Sequence, residues 1–510
     1  MKRLFLVAAA AASAVLNAVG TREYRIVADF RGDNPPGRVM RDIAFPCDLT
    51  NAEGLAFDFL VEDLSEFAYF SFHFNCAGEW ASAGFVPEVD REWRRYVVKK
   101  PRDWTVRVDW SKVKAFRISG WRGGTNRTMI AVRNIAVAPR VVETKEERER
   151  RMEWYAESNR VALARLASMP VPKGERRLAW KHDPCGLKGK SWDESIEVLK
   201  KSGFTDILGN FLRGSRAAYK SRFVPLADVA NGRDRLEECK AACRKHGVKL
   251  HVWNCCWRTG WGTTDEELAH LAAEGRLQVS DAGEVNKGWM CPSHPANRKL
   301  LVDTMLELAR EKGVDGVHFD YIRYPDGRYC CCAGCKARFE AAYGVTVTNW
   351  PADVRAKGPL GRKWFAFRRD AITAPVAEVA EALHRSGSKV EVSAAVFRNP
   401  LADPDGMGQD WAAWCEKGYL DFVCPMTYQM SRVMFERQQR NHMAQVTPKV
   451  PRYPGIGLSV WEKDGLDVAR FAEQVGFLRR SGIGGFTVFE LSPRFEKLMD
   501  TVAPALDAAR

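Results

Sequence analysis

The sequence predicts a chain in two parts, an N-terminal β-sandwich and a C-terminal α/β domain closed as a (β/α)8 barrel. Three observations carry this. Residues 21–140 break into short segments with period-two alternation, and from residue 175 eight apolar runs alternate with helical patterns. Between them lies one highly charged stretch that ends in two prolines. With 510 residues, 46% of them hydrophobic and 28% charged, the chain is long enough for one large domain and one smaller one.

The elements follow in chain order. MKRLFLVAAAAASAVLNAVG, residues 1–20, has a basic start, a short apolar core and small residues before Thr21, the layout of an export signal. Its alanine-rich core is shorter and less apolar than the roughly 20 residues a membrane span needs. No later segment reaches that length either, so no stable membrane span is expected, and the signal-like start predicts a secreted or periplasmic location.

Residues 21–140 hold EYRIVADF, GLAFDFLVED, FAYFSFHFNC, WRRYVVKK, AFRISGW and MIAVRNIAVAP. In the third, Phe70, Phe72 and Phe74 share one face at period two, as a half-buried strand requires. Several such strands at this spacing predict a sandwich. The pattern resembles the jelly-roll carbohydrate-binding modules that accompany secreted glycoside hydrolases. That resemblance makes Trp80, Trp93, Trp104, Trp110 and Trp121 candidates for a sugar-stacking platform or for core.

Residues 141–174 read as a helical connector. Thr144 and Glu147 have capping-box spacing ahead of a charged run, and Pro170 and Pro172 stop it.

From 175 to 510 the expected strands are residues 177–183, 205–211, 249–257, 316–322, 389–397, 420–428, 452–460 and 484–491. Strands alternating with helices predict a parallel sheet, and eight such units predict a barrel whose active site lies at the carboxyl ends of the strands. The net charge of +14 permits anionic partners. It comes with no basic patch interleaved with aromatics, so nucleic acid is not an expected partner.

Strand four, GVHFDYI, places His318 and Asp320 on one side at period two and runs on into Tyr321, Arg323 and Tyr324. A carboxylate at that position is costly unless it is paired, hydrogen-bonded or used. Here the chain resembles a known family. CPSHPANRKLLVDTMLELAREKGVDGVHFDYIRYP, with NFLRGSRAAYKSRF and KHGVKLHVWNCCW before it and SAAVFRNP and QDWAAWCEKGYLDFVCPMTYQM after it, is similar to the glycosyl hydrolase-like 10 family of secreted bacterial glycosidases. The resemblance implies a barrel glycosidase acting on a polysaccharide or oligosaccharide, with Asp320 at its centre. A more distant layout similarity links DGVHFDYI and MTY to family 18 chitinases. Ile322 stands where the chitinase acid would be and Gln429 follows Tyr428 in place of an Asp, which rules out the chitinase mechanism.

Glycoside hydrolysis generally takes two carboxyl groups across the scissile bond. For a partner to Asp320 the candidates are Asp410 in the loop after strand five, ranked first, and Glu490 at the end of strand eight, with Asp183 and Glu391 behind them. Substrate contacts are expected from strand ends and the loops that leave them: His182, Asn210, Arg213, Trp253, Asn254, His318, Tyr321, Arg323, Tyr324, Tyr428, Gln429 and Trp461. Sugars present apolar ring faces and a hydroxyl rim, which suits aromatic, amide and guanidinium groups together. Among the 14 cysteines, Cys239, Cys243, Cys415 and Cys424 sit in apolar patterns and read as core. Cys330, Cys332 and Cys335 have C-x-C-x-x-C spacing, open to a structural zinc with Cys291 or His294 as fourth ligand, to disulfides, or to free thiols. Catalysis itself calls for no cofactor. The expectation is a secreted glycoside hydrolase acting on a glycan, neutral or anionic; its rival is a non-catalytic carbohydrate-binding barrel.

Overall fold

The computed structural model describes residues 22–32, 35–101, 107–429, 431–461 and 465–509. The expected export signal and Trp104 lie outside them. The chain divides into two compact units, residues 1–145 and 146–510.

In the first unit, β1 (Tyr24–Asp29), β2 (Arg38–Cys47), β3 (Ala52–Val61), β4 (Phe67–Cys76), β5 (Glu79–Ala83), β6 (Arg94–Lys99), β7 (Val113–Arg122) and β8 (Arg127–Pro139) form two antiparallel sheets. Their orders are β1-β8-β3-β6 and β2-β7-β4-β5. One shared core joins both: Phe57 of β3 stacks on Phe72 of β4 at 5.6 Å and on Phe116 of β7 at 6.0 Å. Phe70, Phe72 and Phe74 are buried on one face, and the residues between them are half-buried. Strands β2 and β5 were not legible as strands, because β2 buries only one of its ten residues and β5 is short. The four described candidate tryptophans each have a packing partner. Arg117 lies over Trp80 at 4.2 Å, Arg133 over Trp93 at 4.0 Å, and Arg38 over Trp121 at 4.8 Å, while Trp110 packs edge-on against Phe74.

The second unit opens with α1 (Lys145–Ala167), a helix with a charged exposed face. The expected connector helix is present, and part of it packs on the barrel. Ala162 and Leu166 enter the barrel's hydrophobic shell, and Asn159 bonds to the Gly465 carbonyl and the Ala469 amide at 2.7 and 2.9 Å.

The eight expected strands are all present and parallel: β9 (Arg176–Lys181), β10 (Asp206–Arg213), β11 (Lys249–Cys255), β12 (Gly316–Asp320), β13 (Glu391–Val396), β14 (Phe422–Pro425), β15 (Gly455–Gly457) and β16 (Gly485–Phe489). Their order is β14-β13-β12-β11-β10-β9-β16-β15, and a parallel bridge between Val423 and Arg452 joins the two ends. Alternation gives the barrel two cores. Outward residues such as Ile207, Val252 and Val317 pack under the helices, and inward residues Leu178, Trp180, Leu208, Trp253, Cys255, Ala395, Phe422, Cys424 and Tyr453 fill the lumen.

At the amino ends of the strands, charge rather than apolar bulk closes the lumen. Arg176 binds Asp206 and meets Glu391 at 2.8 Å, and His251 meets Asp206 at 3.0 Å. Gly316 is required beside them, since a Cβ there would lie 2.0 Å from the His251 ring. Asp206, His251 and Glu391 are close enough to share a cation, but the Arg176 guanidinium already occupies that position. Among the described residues no helix is long and apolar enough to cross a membrane.

Candidate active site

At the opposite, carboxyl end of the strands lies a cleft of about 200 Å³ lined by Trp180, His182, Trp253, Asp320, Tyr321, Arg323, Ala395, Phe397, Met426, Tyr428 and Phe489. It is smaller than the roughly 300–1,000 Å³ of a drug-sized pocket. A wider groove at the other end of the barrel, lined by residues 171–176, carries Glu175 and Arg176, both committed to ion pairs.

Asp320 ends β12 and is 5% exposed. Its Oδ1 accepts the Tyr321 amide at 2.6 Å, and among the described residues no cation lies within ion-pair distance of it. Burial pushes its carboxyl up to about 6, against the opposing pull of the Arg323 guanidinium and the Tyr321 amide. Tyr321 holds φ at +50°, a left-handed backbone at the residue just after this acid. That turn breaks the strand's alternation, so Tyr321 and Arg323 both face the cleft. Arg323 is boxed by the rings of Phe397 at 4.3 Å, Tyr321 at 4.9 Å and Trp289 at 5.2 Å.

One layer deeper, His318 is fully buried. It accepts the Trp180 indole N–H at 3.1 Å on Nε2 and meets Ser393 Oγ at 2.8 Å through Nδ1. Burial drives it far below the ordinary histidine range. The neutral ring therefore carries its proton on Nδ1, and it fixes the indole that forms the cleft floor. Expected as a substrate contact, it is a support instead.

The other expected residues divide. His182, Trp253, Tyr321, Arg323 and Tyr428 line the cleft. Arg213 stands behind His182, with Nη2 3.3 Å from Nε2 and its guanidinium over Trp261. Asn254 points outward, accepting the Gly214 amide and donating to Met305. Tyr324 is buried against Arg368 at 4.4 Å. Trp461 is buried and gives its indole N–H to the Gln429 backbone carbonyl, which the Gln474 amide also reaches, and neither Trp461 nor Gln429 lines the cleft; Asn210 is buried and donates to Cys255.

The candidate acids divide as well. Asp410 does not enter the cleft: it caps the helix Trp411–Glu416 by accepting the Ala413 amide. Glu391 belongs to the charged plug, and Asp183 is exposed beside Lys181. Glu490, half-buried, accepts the backbone N–H of His182 at 3.1 Å, directly at the rim. Asp320 and Glu490 both bear on the Tyr428 phenol, which burial raises far above the ordinary tyrosine range.

Sequence reasoning missed Trp180, Phe397, Met426 and Phe489, although Trp180 stands two residues before His182 at strand period. It also missed Asp403, seven residues before Asp410. Asp403 is buried, accepts the Asn399 amide at 2.8 Å and is pushed by burial up to about 7, with Arg323 and Arg398 pulling it down.

Beside the cleft, the loop 328–332 meets the end of the hairpin made by Leu277–Val279 and Val285–Met290. There the Sγ atoms of Cys291, Cys330, Cys332 and Cys335 all lie within 4.8 Å of one another, all buried. Cys291 is the fourth member; His294 instead caps the helix Pro295–Glu311. Cys239, Cys243, Cys415 and Cys424 are buried in core, as expected.

A family model described as glycosyl hydrolase-like 10 matches residues 186–458, just over half of the chain. An S-layer-related protein of Niallia circulans is 26% identical over 304 residues, 49% of this chain and 18% of that protein, so the match spans less than a fifth of its length. Among solved structures, the glycoside hydrolase domain of PgaB (BpsB) from Bordetella bronchiseptica superposes with a TM-score of 0.49 at 14% identity, over 66% of this chain and 98% of that one. Alpha-L-fucosidase isoenzyme 2 from Paenibacillus thiaminolyticus gives 0.46 at 13% identity over 66% and 48%.

Proposed function

The chain belongs to the glycosyl hydrolase-like 10 family and is a carbohydrate-active barrel protein; from that premise we propose that it is an exported glycoside hydrolase with Asp320 as its proton donor. One observation carries this reading: a buried carboxyl with no cation paired to it, held near 6 at the carboxyl mouth of the barrel. At neutral and mildly acid pH such a group is protonated often enough to donate to the leaving glycosidic oxygen as the C1–O bond breaks. Glu490 is its partner, attacking the anomeric carbon or taking the proton of the attacking water. It is preferred to Asp410 because it stands at the rim on His182.

The walls favour a sugar ring. Trp180, Trp253, Phe397 and Phe489 offer apolar faces. Arg323 in the cleft, Arg213 behind His182 and Arg258 over Trp289 and Tyr321 stand against the carboxyls of Asp320 and, at the rim, Glu490. That balance favours a polysaccharide carrying anionic groups. Export rests on residues 1–20, and a mature chain starting at Thr21 is the expected result of N-terminal sequencing.

The test is reducing-end release from a panel of neutral and anionic polysaccharides. Asp320→Asn should abolish release while leaving glycan binding and the circular dichroism spectrum unchanged. A second reading, a carbohydrate-binding barrel without catalysis, is favoured by the single carboxyl among the described cleft-lining residues. It wins if the unaltered protein binds members of the panel and releases nothing from any of them.

A further inference from the structure

Cys291 comes from the hairpin that follows β11, and Cys330, Cys332 and Cys335 come from the loop that follows β12. These are the two connections that frame Asp320 on one side. We propose that the four cysteines hold one zinc ion as a tetrathiolate, which clasps the two loops and sets the wall of the cleft.

The spacing argues for a metal. Zinc binds thiolate at about 2.3 Å in a tetrahedron, whose edges are then about 3.8 Å. Cys291 Sγ lies 3.4 Å from Cys335 Sγ and 3.9 Å from Cys332 Sγ. These are edge lengths, far from the roughly 2.05 Å of a disulfide. All four thiols converge, whereas disulfides need only pairs.

The surroundings suit thiolates. The Val279 N–H points at Cys330 Sγ at 3.4 Å, and the Cys335 N–H at Cys332 Sγ at 3.3 Å. Four thiolates around a dication leave a net negative charge, and Arg338 is placed to offset it, with Nη2 3.9 Å from Cys291 Sγ and a second bond to Ser293 Oγ at 3.1 Å. An all-sulfur tetrahedral set selects zinc or iron over the hard cations.

The clasp reaches the site through Trp289, two residues before Cys291. Its indole packs on Tyr321 at 5.5 Å and lies under Arg323 at 5.2 Å. A second tie runs through the same loops, where the Cys331 N–H donates to the Val279 carbonyl at 2.7 Å.

The experiment uses the full chain. Elemental analysis should give one zinc per chain. Exchange with Co2+ should give the intense sulfur-to-cobalt charge-transfer bands and the visible envelope of tetrahedral tetrathiolate cobalt. Cys332→Ser should lose the metal. Cys331→Ser, a neighbour whose thiol is half-buried and bonded to the Arg328 carbonyl, should keep it. Metal-free protein with four alkylatable thiols at these positions overturns the proposal. So do disulfides among them in the unreduced protein, or equal metal loss in the two variants. If Cys332→Ser fails to fold, the metal content and cobalt spectrum of the unaltered chain decide.

Discussion

The two ends of one barrel treat a buried carboxylate in opposite ways. At the amino end Asp206 is 1% exposed, and His251 and Arg176 together outweigh its desolvation, so its carboxyl is held well below the usual carboxylate range. At the carboxyl end Asp320 is nearly as buried, receives one backbone N–H and no paired cation, and is raised to about 6. The burial is alike; the partners differ. Burial alone therefore does not mark a candidate acid; burial that its partners fail to offset, at the cleft, sets Asp320 apart from Asp206. Fixing charge into the closed end and leaving it unpaired at the open end suits a scaffold below and chemistry above.

Breaking that contrast should have its largest effect at the open end. Asp320→Asn should lower kcat by roughly 10²–10⁴-fold, the range of a lost general acid, and the pH profile of the unaltered protein should fall above about 6 as the donor ionises. Glu490→Gln should lower the rate by roughly 10²-fold without moving that limb. At the closed end, Arg176→Met strands Asp206 and Glu391 and should remove roughly 3–5 kcal/mol of stability by urea denaturation. Any protein that still folds should keep its kcat/KM.

The same contrast predicts opposite pH dependences of stability. Asp320 is harder to ionise folded than unfolded. Its burden is therefore absent well below 4, where both states are protonated, grows between about 4 and 6 and is complete above about 6. Asp320→Asn should then raise stability at pH 8 by up to about 3 kcal/mol, since each tenfold gain in the folded carboxyl's proton affinity is worth about 1.36 kcal/mol. At about pH 2.5, where both states are protonated, that gain should vanish. Asp206 runs the other way: its contribution is full above the unfolded aspartate value and is lost as pH falls through its depressed one. Smallest of all, Asp410→Ala should remove a helix cap worth about 1 kcal/mol and leave turnover alone. A loss of turnover there would put Asp410 back in contention with Glu490.

How far the site was legible depends on how local its signals are. The eight strands and the placing of Asp320 follow from apolar alternation and from the rule that barrel sites lie at strand ends. Errors fall both within strands, at His318, Asn210 and Asn254, and where the strand stops. Period-two counting assumes extended backbone, and Tyr321 at φ +50° ends it, so Arg323 faces the cleft while Tyr324 turns into the core. On β11 the same alternation, applied strictly, separates inward Trp253 from outward Asn254. Asp410 carries the local mark of a helix cap, an acid three residues before the amide it accepts, and that reading outranks a catalytic one.

By itself, then, the sequence determined the barrel's eight strands, the shared face of Phe70, Phe72 and Phe74 and the position of the strand-four acid, because each depends on residues a few positions apart. Only the tertiary structure decided that Asp320 goes unpaired, that Glu490 rather than Asp410 stands at its rim, and that Cys291 meets cysteines some forty residues away. Ionisation and ligand sets depend on distances between strands and loops that the chain brings together only when the barrel closes.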